Sequence, residues 1–64
     1  MSEPTDVELL TWRIYLGSDS MRAAALKLGV HEVTVRKRIA ALRETYDVRT
    51  NAQLADVLAR RNVA

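Results

Sequence analysis

The amino-acid sequence predicts an all-α domain built around a helix-turn-helix, and three observations carry that expectation. Apolar residues recur at helical spacing on both sides of Gly29: Met21, Ala24, Ala25 and Leu28 before it, Val35, Ile39, Leu42 and Tyr46 after it. Only Gly29-Val30-His31 separates the two patterns, which leaves room for a tight turn and nothing more. Elsewhere, two Thr-initiated capping boxes open further helical patterns, and no segment has the period-two alternation of a strand.

Four helices follow in order, over about residues 6–16, 21–28, 32–46 and 51–61. Thr5-Asp6-Val7-Glu8 opens the first, with Thr5 as N-cap and Glu8 reaching back to its backbone N–H. Gly17 ends it. Its apolar residues form two faces, Val7-Leu10-Ile14 and Leu9-Trp12-Leu16. That pattern predicts a strut sandwiched between neighbours, with the helix pair on one side and the fourth helix on the other. Ser20 is the N-cap of the second helix. Ala25 is small where helices two and three come closest, Gly29 can take the positive φ that ends helix two, and Val35 plugs the angle between them. His31 takes the N-cap position of the third helix. After the break at Asp47-Val48-Arg49, Thr50-Asn51-Ala52-Gln53 opens the fourth, whose Leu54-Val57-Leu58 face is expected to cover the first.

Sixty-four residues allow one domain, residues 1–64. A chain so short buries only about 60% of its unfolded surface, which makes a lone fold marginal. With no cysteine, no disulfide or thiolate metal site can help, so stability must come from close helix packing or a partner chain. No apolar run is long enough to span a membrane and no signal peptide is visible; a soluble cytoplasmic protein is expected.

The net charge of +2 is unevenly placed. Residues 1–20 carry −3, and the remainder carries +5, centred on Arg36-Lys37-Arg38 with Arg43 beyond. One cationic face of this kind suits a polyanion. On a helical wheel with Val35, Ile39, Leu42 and Tyr46 inward, Val33, Arg36 and Lys37 face outward at the start of helix three. In helix-turn-helix proteins that end of the second helix enters the major groove. Arg or Lys can donate to guanine, and a branched apolar side chain can touch a thymine methyl. Val33, Arg36 and Lys37 are therefore the expected base contacts. Ser20, Arg22, His31, Thr34, Arg38 and Arg43 are the expected phosphate contacts. His31, the only histidine, has no cysteine or second histidine to share a zinc ion, and no nucleophile lies near it in sequence. No enzymatic activity, cofactor or metal is expected. The fourth helix carries Ala52, Ala55 and Ala59, small residues that would let a second copy approach and form a homodimer.

From about residue 7 to 60 the chain resembles the GerE/LuxR-type DNA-binding domain. The resemblance rests on Ala25-x-x-Leu28-Gly29-Val30-x-Glu32-x-Thr34-Val35-Arg36 and on Val48-Arg49-x-x-Ala52-Gln53. It implies that helix three reads the major groove, with contacts at Val33, Thr34, Arg36 and Lys37, and that helix four dimerises. The loop before helix two is one residue longer than in that family, no Glu completes a capping box after Ser20, and Ala24 replaces a larger aliphatic. Ala24-Ala25 with Val30-His31-x-x-Thr34-Val35-Arg36-x-Arg38-Ile39 also resembles the C-terminal helix-turn-helix of PucR/CdaR-type regulators, and Fis-type domains share the alanine doublet. All three imply DNA binding in a bacterial or phage transcription regulator. The alternative from a different class is a helical protein-interaction module that sets its basic face on an acidic protein partner.

Overall fold

The structure, a computed structural model, describes residues 3–61. Four helices follow one another: α1 (Asp6–Leu16), α2 (Met21–Leu28), α3 (Glu32–Thr45) and α4 (Asn51–Arg60). No strand occurs among the described residues. Helices α1 and α2 have the expected bounds. Tyr46 and Arg61, expected as the last residues of α3 and α4, are instead the caps that follow them.

Local hydrogen bonds set these boundaries. The Thr5 hydroxyl accepts from the Glu8 N–H at 3.1 Å, and the Glu8 carboxylate accepts from the Thr5 N–H at 2.9 Å. Thr50 and Gln53 repeat the arrangement at α4, where the Gln53 side-chain oxygen also accepts from the Arg49 N–H. At α2 the Ser20 hydroxyl accepts from the Ala23 N–H at 3.0 Å. Each cap satisfies N–H groups that have no partner inside a helix.

Helix α2 ends as its glycine requires. Gly29 sits at φ 70, ψ 32, in the left-handed region, while the Val30 N–H donates to the Ala25 carbonyl at 3.0 Å and the Gly29 N–H to Leu26 at 3.3 Å. This Schellman closure turns the chain sharply into α3. Helix α3 ends in the same way without a glycine: Asp47 has φ 54, Val48 N–H donates to Arg43 at 2.9 Å, and Asp47 N–H to Glu44 at 3.1 Å. A left-handed residue with a Cβ is strained, and a carboxylate at a helix C-terminus opposes the helix dipole. Asp47→Gly removes both penalties. We expect it to stabilise the domain by about 0.5–1 kcal/mol and to raise Tm by roughly 2–8 °C in a circular dichroism melt. A lower Tm would show that the closure does not depend on this residue's backbone.

The core is Trp12, Ala24, Ala25, Val35, Ile39, Leu42, Leu54 and Leu58, drawn from all four helices. Ala25 and Val35 occupy the angle between α2 and α3, as their sizes predict. The hub, however, is α3 and not α1. Helix α3 packs on α1, α2 and α4, whereas no Cα of α4 comes within 8 Å of one in α1 among the described residues. The expected sandwich of α1 is thus corrected. Its inward side is set by Thr11 and Trp12, both buried, while Val7, Leu10 and Leu16 are exposed. Leu54 and Leu58 join the shared core from α4, which packs on α3. The Cα radius of gyration, 11.0 Å, matches the roughly 11 Å of a compact domain this long, so α4 is packed and not projecting.

Thr11 is buried but not apolar. Its hydroxyl donates to the Val7 carbonyl at 2.7 Å and accepts from Arg38 Nη1 at 3.3 Å, which ties α1 to the flank of α3. No buried side-chain N or O lacks a partner among the described residues. Trp12 packs beside Tyr15 with ring centroids 5.7 Å apart, and the Arg61 guanidinium lies 5.1 Å over the Tyr46 ring. No helix among the described residues is long and apolar enough to cross a membrane.

Candidate nucleic-acid interface

The exposed side of α3 is fixed by its buried side. Val35, Ile39 and Leu42 are at most 1% exposed, so the helix cannot rotate without uncovering the core. Val33, Arg36 and Lys37 are consequently held outward on the N-terminal half, immediately after the Gly29 turn. Val33 is 51% exposed and belongs to no core contact, an uncommon position for a branched apolar side chain on a hub helix. Arg36 lies 4.0 Å from Glu32, one turn earlier, in a pair open to solvent on both sides. Such pairs contribute about 0–1 kcal/mol, so Arg36 can leave Glu32 for another acceptor at little cost. Lys37 makes no ion pair or side-chain hydrogen bond among the described residues.

The expected phosphate contacts divide into two groups. Arg22 is exposed in the first turn of α2, with Ser20 at its cap; His31 is exposed at the N-cap of α3 and makes no side-chain cap hydrogen bond. Thr34 is half-buried in the first turn of α3. Ser20 and Arg22 stand at the N-terminal end of α2, His31 and Thr34 at that of α3. Arg38 and Arg43 have partners inside the domain. Arg38 bonds Thr11 on the α1 side, and Arg43 donates to the Asn51 side chain at the start of α4. A helical wheel placed both on the flanks of the outward face. It could not show which way long side chains turn, and neighbouring helices supply acceptors on those flanks.

The arrangement offers one apolar contact, two long cations in successive positions and a helix start with free backbone N–H groups. It suits recognition of a polyanion with a patterned surface. Among the described residues no three His, Cys, Asp or Glu side chains come together as a metal site would need. On α4, Ala52 and Ala59 are exposed, but Ala55 is half-buried against the domain's own core. The chain matches no protein-family model, no curated protein and no solved structure.

Proposed function

We propose that this chain binds duplex DNA by laying the N-terminal half of α3 in the major groove and that it regulates transcription. One observation carries the reading: the Gly29 closure and the buried Val35-Ile39-Leu42 stripe hold Val33, Arg36 and Lys37 outward together at the first turns of α3. An α-helix fits the major groove, and these side-chain types match the donors and methyl contacts that base edges offer there. Ser20 and Arg22 at the start of α2, with His31 and Thr34 at the start of α3, supply the backbone contacts that set orientation. The GerE/LuxR resemblance of the sequence supports the same assignment. Arg38 and Arg43 serve the fold first and reach phosphate only after giving up Thr11 and Asn51.

The test begins with random duplexes. Binding should be measurable at low salt, with the logarithm of the association constant falling linearly against that of salt concentration. A selected site then exposes the readers. Arg36→Ala and Lys37→Ala should each weaken the selected site by about 1–3 kcal/mol where that residue reads a base, with melting curves unchanged because neither side chain enters the core. Wild-type affinity in both variants would remove α3 as the reader. Failure to retain any duplex at low salt would instead favour an acidic protein partner for the same face.

A further inference from the structure

Helix α1 leaves apolar surface open that the rest of the domain does not use. Val7 and Leu10 are each 51% exposed, and Ile14, one turn beyond Leu10, is half-buried on the same stripe. Leu10 lies about 100° and 200° round the helix from Thr11 and Trp12, the two residues that face the core. It therefore projects away from the domain, where a neighbour can approach without meeting α2 or α3.

Charge on this face is ordered. Asp6 and Arg13 stand on the outer flank of the stripe, both exposed, and neither has an ion pair among the described residues. Seven residues apart, they are roughly 10 Å from each other along one helix, too far to pair within it. We propose that this chain self-associates through α1, antiparallel to the α1 of a second copy. With a two-fold axis between Val7 and Leu10, Val7 of each copy meets Leu10 of the other, and Asp6 of each falls on the same edge as Arg13 of the other, offset by two residues or about 3 Å along the helix, within the reach of the Arg side chain. A parallel two-fold would carry the flank with Asp6 and Arg13 to opposite edges of the contact and leave both unpaired, so only the antiparallel arrangement brings the opposite charges together. The occupant is a second copy because the face is complementary to itself: apolar at its centre, and opposite in sign at its two ends. The proposal is independent of what α3 binds, and it differs from a contact through α4. Of the three α4 alanines Ala52 and Ala59 stay open, whereas Leu10 and Val7 present larger side chains.

Sedimentation equilibrium of the whole chain, without DNA and at low ionic strength, reads the association directly. The interface is small, so a Kd between about 10 μM and 1 mM is expected. Leu10→Lys should raise Kd at least about tenfold. Asp6→Arg and Arg13→Asp should each raise it several-fold, and the two together should return it to within about threefold of wild type, because the swap restores opposite charges. Circular dichroism verifies that each variant is folded, and the charge-swap series decides the matter even if Leu10→Lys is not. A chain that stays monomeric at about 1 mM overturns the proposal. So does a double swap no better than the single changes, or a dimer broken by Ala59→Glu and indifferent to Leu10→Lys.

Discussion

Leu42→Ala should remove a large part of the domain's stability. Leu42 is fully buried on α3, the helix against which the other three pack. Truncation removes its transfer free energy and leaves a cavity, together about 2–5 kcal/mol. A domain of this length has only roughly 3–10 kcal/mol in total. Partial collapse cannot rescue the site, because its neighbours Ile39, Val35 and Leu54 are themselves locked into the core. The expected readout is a loss of most helical signal, or a Tm lower by more than about 15 °C. Leu10→Ala and Leu26→Ala, at exposed positions, are the controls and should shift Tm by no more than a few degrees. A Leu42→Ala melt within a few degrees of wild type would mean that α4 is not held by this core.

Gly29→Val should cost about 2 kcal/mol for a different reason. At φ 70 an added Cβ would meet no atom within 4 Å, so space is not the obstacle. The penalty is in the backbone: an L-residue in the left-handed region costs about 1–2 kcal/mol, and a β-branched one more. Gly29→Ala should therefore fall between wild type and Val, and Gly29→Asn nearer wild type. Denaturant midpoints order the series. Gly17 provides the contrast, since it ends α1 at φ −89 and needs no such conformation. Equal midpoints for Gly29 and its Val variant would show that the α2–α3 turn is not closed by this glycine.

The helix boundaries were legible because each rests on short-range chemistry. Thr-x-x-Glu and Thr-x-x-Gln specify their caps by spacing alone, and both capping boxes are present. Likewise Ala25, Gly29 and Val35 specify the turn by size and conformational freedom. What covers what was not legible. An apolar stripe announces that it can be buried and does not name its partner; Val7-Leu10 found none in the domain, while polar Thr11 is fully buried and accepts from Arg38. The closure at Asp47 was hidden for a related reason. Asp tolerates the left-handed conformation, but the sequence lacks the glycine that would announce it. Within the candidate interface, the short outward side chain of Val33 and the paired cations Arg36 and Lys37 fell where a wheel places them. Arg38 and Arg43 also sit on the flanks a wheel gives them, but their guanidinium groups turn to acceptors on neighbouring helices, which a wheel does not show.

The short closures also govern how quickly the chain acquires and loses its shape. Three-, four- and five-residue connections join the helices, and each end is secured by bonds spanning only a few residues. Little chain entropy has to be surrendered before native contacts begin to form, so folding belongs in the microsecond-to-millisecond range of helical domains. With modest total stability, opening is then frequent as well. Such a protein is protected in a cell by the balance between open and closed populations and not by a slow escape from the native state. Every 1.4 kcal/mol lost multiplies the open fraction tenfold, so a protease that cleaves only open chains would remove core variants in proportion to their loss of stability.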